Sequence, residues 1–237
     1  MRKLVAVGCA FCVFLTAADY PGLHWEKHGR AGWSQPLLAA VRSYAATKKT
    51  ASVMIVQGGR VVDQWGDVDK KIEVRSIRKS FLSALYGIHV AEGHVDLGKT
   101  LGEIGIDDMA PDLTAVEKQA TVLDLLRARS GVYHAAARET PAMRAKRPTR
   151  GSHPPGTFYY YNNWDFNVLG TIFEKVTGKK IFAEFASRVA EPIGMEDYAV
   201  SDGRFAAAEG SLVAGHSKHL NYIFSMSARD MARFGYL

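Results

Sequence analysis

Val74-Arg75-Ser76-Ile77-Arg78-Lys79-Ser80-Phe81-Leu82 is the stretch on which the reading of this chain turns. A hydroxyl and an amine stand three positions apart there, at the start of an apolar run that continues through Leu85, Ile88 and Val90 to Glu92. The spacing predicts a helix over 76–92, too apolar to lie on a surface, with Ser76 and Lys79 on one face of its first turn. Such a pair suits nucleophilic catalysis. An amine whose pKa is lowered from about 10.4 by burial or a neighbouring cation can take the serine proton, and a helix N-terminus stabilises the oxyanion that forms. Alone the pattern is weak, because 14 serines and 14 lysines in 237 residues give S-x-x-K about once by chance.

Working outward, Ser34 caps a predicted helix through Lys48, with Leu37, Leu38, Val41, Tyr44 and Ala45 at helical spacing and an early Pro36. Residues 51–57 and 60–65 are β-rich and joined by Gly58-Gly59, which reads as a hairpin. Downstream the pattern is helical: 121–129 closed by Gly131, 163–176 closed by Gly178, 180–190 before Pro192, and a last helix opened by a Ser227–Asp230 capping box. Only two strands stand out. A lone hairpin is marginal, so the helix from Ser76 is expected to pack on a wider sheet, and the chain reads as part of a longer domain.

A second block follows in Pro155-Gly156-Thr157-Phe158-Tyr159-Tyr160-Tyr161-Asn162-Asn163, with Tyr161 85 positions after Ser76. A Pro-Gly turn delivers aromatics and amides to the next helix. A phenol beside a lysine loses its proton more readily and can act as base and then acid, while Asn163 can donate to a substrate carbonyl. Tyr159 and Tyr160 read as packing residues.

Gly93-His94-Val95-Asp96-Leu97-Gly98-Lys99-Thr100 satisfies the phosphate-loop pattern, but a helix precedes it where the mechanism needs a strand, so the reading is a structural turn. His89 and His94, and His216 and His219, lack an attendant carboxylate at metal-ligand spacing, so neither a metal nor any other cofactor is expected. The absence of G-x-S-x-G argues against an α/β-hydrolase elbow.

Composition sets the class. With 47% hydrophobic and 23% charged residues the chain is globular. Met1-Arg2-Lys3 followed by an apolar run of fifteen, Leu4 to Ala18, reads as a signal peptide too short to span a membrane, with cleavage before Asp19 and a secreted or periplasmic product. Cleavage lowers the formal charge from +6 to +4 and removes Cys9 and Cys12, so the mature chain would have no disulfide or thiol chemistry. The remaining basic residues are interspersed with acids, which excludes a nucleic-acid footprint.

In these motifs the sequence resembles the serine hydrolases of the β-lactamase and penicillin-binding type, in the class C-like branch with esterases and 6-aminohexanoate-dimer hydrolases. The resemblance rests on 74–81, on 93–101, on Leu125-Leu126-Arg127-Ala128-Arg129-Ser130-Gly131-Val132, on 155–170 with its Tyr161-Asn162-Asn163, on Pro192-Ile193-Gly194-Met195 and on 227–235. It implies an α+β, β-lactamase-like fold over 19–237, an antiparallel sheet flanked by helices, and a helical subdomain at roughly 95–190. It implies Ser76 as acylated nucleophile, Lys79 as its proton partner, Tyr161 as base and acid, Asn163 as a substrate contact and Tyr133 as a pocket residue. The substrate would be a small molecule or peptide with an ester, amide or lactam carbonyl. The family's K-T-G or H-x-G element has no counterpart after Gly170, so the C-terminal strands that carry it would fall beyond Leu237, and poor activity of the chain as it stands is expected. The alternative is a catalytically silent module of the same fold that binds peptidoglycan or peptide.

Overall fold

Ser34 accepts the Leu37 amide at the start of α1 (Gln35–Ala46), and Pro36 sits in its first turn. The hairpin follows as β1 (Ser52–Gln57) and β2 (Arg60–Gly66), antiparallel, with a register shift between Ile55 and Val56. This computed structural model describes residues 24–25, 32–206 and 217–237, so the expected leader over 1–18 lies outside the described residues. The short β3 (Ile72–Glu73) leads through a 3-10 turn, Arg75–Ile77, into α2 (Arg78–Ala91). Ser76 therefore occupies a tight turn and not the α-helix proper.

From Val95 to Ala190 the described chain forms no strand, only an isolated bridge between Thr100 and Thr121. Short helices α3 (Leu101–Ile104), α4 (Val122–Leu126) and α5 (Pro141–Ala145) each begin at a threonine whose hydroxyl accepts an amide of the first turn. The long α6 (Asn163–Thr177) ends on Gly178 in the left-handed conformation, and α7 (Ile181–Phe185) runs on as a π-turn through Ala190. Two strands then appear that the sequence pattern did not reveal, β4 (Gly203–Ala206) and β5 (Asn221–Met226), before α8 (Ala228–Gly235). The three short strands pair antiparallel in the order β3-β5-β4. This sheet is separate from the hairpin, and α2 meets it through Phe81 and Phe224. Its central strand is buried almost throughout, so Tyr222, Ile223 and Phe224 form an unbroken apolar run without the alternation that marks a half-exposed strand.

The core lies between α2, α6, α7 and β5. Phe81 on α2 meets Phe185, Phe224 and Phe234 at ring-centroid separations of 4.9, 5.3 and 4.7 Å, which locks α2 onto both sheet and last helix. Tyr86 donates to the Leu169 carbonyl at 2.8 Å, tying α2 to α6. Where α6 crosses β5 only glycine fits: a Cβ on Gly170 would stand 2.8 Å from the Tyr222 ring.

Two expectations need correction. On α1 only Leu38 and Ala45 are buried, while Leu37, Val41 and Tyr44 of the same predicted stripe face outward. α1 meets the hairpin through Arg42, which donates to Asp63 and lies 5.0 Å from the Trp65 ring. At α8 the Ser227 hydroxyl caps the Asp230 amide, but the reciprocal half of the capping box is missing. The buried Asp230 carboxylate accepts instead from the amides of Glu196, Asp197 and Tyr198, so it stitches the 196–198 turn to the last helix.

Candidate active site

Ser76 lies exposed in its 3-10 turn, directly after Arg75, whose φ of 52° is the left-handed conformation that side chains resist. This turn and the first turn of α2 set Ser76 above Lys79. The lysine is buried, 8% exposed, and its Nζ donates to Ser76 Oγ at 3.2 Å and to Asn163 Oδ1 at 3.1 Å. Both partners are neutral. Desolvation first, and the adjacent Arg78 guanidinium second, lower the Lys79 pKa to about 7. The ring faces of Tyr161 and Phe166 lie 4.9 and 5.1 Å from Nζ and favour the ammonium, which moderates the shift in the other direction.

Asn163 is the first residue of α6, and its amide is used at both ends: Oδ1 accepts from Lys79, and Nδ2 donates to the Arg138 carbonyl at 2.9 Å. Arg138 also has a positive φ, 58°, so a second strained residue presents its carbonyl to the site. The Arg138 side chain pairs with Glu73 at 2.9 Å, and Arg75 pairs with the same Glu73 oxygen at 3.1 Å. Arg78, buried beside Lys79, donates to Asn167 Oδ1 at 2.9 Å and stacks on the Tyr222 ring at 4.1 Å. Burial pushes its pKa down. These groups border a cleft of about 470 Å³ that includes Ser76, Lys79, Asn163, Arg138 and Ile223.

On the first turn of α6, Asp165 is fully buried. Its Oδ1 accepts from Ser130 Oγ at 2.6 Å, and Ser130 in turn accepts the Val132 amide. Oδ2 has no partner among the described residues, and burial raises the pKa to about 7. The Ser130-Gly131-Val132 turn is thus pinned to the helix that carries Asn163.

The structure brings Ser76, Lys79 and Asn163 into one hydrogen-bonded chain and lays the Tyr161 ring against it. Tyr133 stands elsewhere. It is buried, meets Tyr160 and His153 edge-on, and walls a second cleft of about 460 Å³ with His134, Arg144, Arg147 and Arg150. It is not among the residues that line the cleft of Ser76. Reasoning from sequence missed Arg138, Glu73 and Asp165, which no local motif marks. Arg78, lying inside the S-x-x-K, was the one that could have been found, as the neighbouring cation such an amine needs.

The Gly93–Thr100 segment forms a turn after α2. Thr100 caps α3, Lys99 pairs with Glu103 at 2.9 Å, and the four-residue α3 offers no extended helix N-terminus to a phosphate.

The family model of the beta-lactamases matches residues 39–237. The chain belongs to the beta-lactamase family. Among solved structures, a candidate 6-aminohexanoate-dimer hydrolase from Bacillus anthracis superimposes with a TM-score of 0.62 at 21% identity, over 92% of this chain and 62% of its own. A candidate beta-lactamase from Bacteroides dorei matches with a TM-score of 0.58 at 18% identity, over 85% of this chain and 62% of its own. The octameric penicillin-binding protein homologue from Pyrococcus abyssi matches with a TM-score of 0.56 at 19% identity, over 84% and 55%. The chain therefore spans between about half and two thirds of these relatives' length. The α+β, beta-lactamase-like fold implied by the sequence is the fold observed, and beta-lactamase family members are serine hydrolases. No helix among the described residues is long and apolar enough to cross a membrane.

Proposed function

We propose that this member of the beta-lactamase family is a serine hydrolase that cleaves an amide, ester or lactam bond through a Ser76 acyl-enzyme. The supporting observation is an amine of pKa about 7 placed 3.2 Å from an exposed serine hydroxyl. Lys79, when neutral, accepts the Ser76 proton as Oγ bonds to the substrate carbonyl carbon. The resulting oxyanion is stabilised by the positive end of α2, which begins two residues later. Collapse breaks the bond to the leaving amine or alcohol, which takes a proton back, and water then attacks the ester at Ser76 in the same manner. In this reading Tyr161 shares the proton with Lys79, across whose ammonium its ring lies, while Asn163 orients the lysine and contacts substrate with its remaining amide proton. Tyr133 is a pocket residue only for a substrate long enough to reach the second cleft.

The substrate class is a small molecule or peptide carrying such a carbonyl, met outside the cytoplasm if the leader is cleaved before Asp19. Treating the purified protein with a p-nitrophenyl ester and measuring intact mass tests the proposal. An adduct that maps to the peptide containing Ser76 is the expected result. Acylation elsewhere, or ligand binding with no acylation, overturns it, and the second outcome would make the silent binding module the correct reading.

A further inference from the structure

At the opposite end of α2 from Ser76, about 20 Å away at 1.5 Å per residue, three side chains converge that the spacing of the sequence did not connect. His89 is on the last turn of α2, and Glu92 follows that helix directly. Gly93, with φ +75°, then turns the chain sharply, so that the amides of His94 and Val95 both donate to the His89 carbonyl. The turn folds His94 back over the helix end. His94 Nδ1 comes to lie 3.3 Å from His89 Nδ1 and 3.3 Å from Glu92 Oε2. One ligand atom from each of the three residues falls within a sphere of mutual separations under 4.8 Å.

We propose that His89, Glu92 and His94 form a binding site for a zinc-type divalent cation. Four ligands arranged tetrahedrally at zinc–nitrogen distances of about 2.0–2.1 Å stand about 3.3–3.4 Å from one another. The two separations at His94 match that edge, and the third lies within 4.8 Å.

The orientation of His89 supplies an independent observation. Its ring is 1% exposed, and Nε2 is 2.9 Å from Glu184 Oε1. A carboxylate can only accept, so Nε2 carries the proton and Nδ1 presents its lone pair toward His94. Carboxylate, histidine and open lone pair in series is the arrangement that fixes the tautomer of metal-binding histidines. Arg188 donates to both Glu92 oxygens, at 3.4 Å to Oε2, holding the carboxylate in place at some cost in competition and repulsion for the cation. The C-terminus of a helix contributes the negative end of its dipole to the same spot. His94 and Glu92 are exposed, so water completes the coordination, and the cation would clamp the end of α2 to the turn that follows it. The reading of His89 and His94 as lacking a carboxylate fails because sequence spacing does not show a left-handed glycine folding i+5 back onto i.

The test is titration of the chelator-treated protein with Co²⁺, followed by visible absorption, with Zn²⁺ in competition. One equivalent of Co²⁺ should bind with the strong bands of tetrahedral coordination and be displaced by Zn²⁺. His94→Ala and Glu92→Gln, both at exposed positions, should each weaken binding at least tenfold, and Glu184→Gln, a positioning change, by about tenfold or more. Acylation of Ser76 in the exposed variants should be unchanged. Failure of both ions to bind, or an affinity equal in the parent, His94→Ala and Glu92→Gln, would overturn the proposal.

Discussion

Two clefts of nearly equal size, about 470 and 460 Å³, lie in this molecule, and both are lined by arginines. In the second cleft the charges are matched. Arg150 grips the buried Glu117 with two nitrogens at 2.8 and 2.7 Å, and Arg147 and Arg144 face Glu139. In the first, Lys79 is desolvated between two neutral hydrogen-bond partners and beside another cation. Paired charge in a cleft stabilises structure, whereas an amine denied a counter-ion becomes a base at neutral pH. Volume alone does not tell the two apart.

The sharpest way to break this comparison is to remove the chemistry from one side. Ser76→Ala should lower the rate of ester acylation by at least about a thousandfold, as losing a nucleophile does elsewhere; a smaller loss in stopped-flow acylation would remove the distinction between the clefts. Lys79→Arg should cost on the order of a hundredfold or more, because a guanidinium stays charged and cannot accept the proton.

The parent protein should report the same amine through pH. Because Lys79 titrates near 7, its neutral fraction, and with it the acylation rate, should rise about tenfold per unit below pH 7 and level off above it. A rate still climbing steeply at pH 9 would mean that the lysine keeps an ordinary pKa.

On the other side, Glu117→Gln should leave acylation unchanged and lower stability by about 2 kcal/mol in urea unfolding, since it strands Arg150 beside a buried neutral amide. The Glu117 carboxyl is held below its usual range by Arg150 and the Thr114 amide. Its contribution is therefore present above the unfolded pKa and lost as pH falls below about 4.

The last effect concerns Asp165, which lines neither cleft. Its folded pKa is raised to about 7, so the folded protein binds this proton more tightly than the unfolded chain. Stability associated with Asp165 is greatest below about pH 4 and declines as pH rises toward 7. Asp165→Asn, which mimics the protonated acid, should flatten that decline in Tm while changing little below about pH 4.

Much of this was legible in the residues. The α2 core face, the hairpin, α6 with its Gly178 stop and the reactive pair Ser76 and Lys79 all follow from local spacing, because helices and turns are set by neighbours in sequence. β5 was not, since a strand buried on both faces loses the alternation that would betray it, and β3 and β4 are too short to carry a pattern. That Tyr133 walls the second cleft was not legible for a related reason: a motif gives the order of residues along the chain but not the direction a turn takes.

By itself, then, the sequence determined the family's class of fold and pointed to Ser76 and Lys79 as candidate nucleophile and amine partner, because each motif is a local pattern and the motifs together carry the resemblance. Only the tertiary structure decided that Lys79 is desolvated beneath Asn163 and beside Arg78, that Arg138 and Glu73 border its cleft, and that Glu92 completes a cluster with His89 and His94. A pKa or a ligand set depends on what surrounds a group in space, and most of those surroundings come from residues that are distant along the chain or beyond a reversal in its direction.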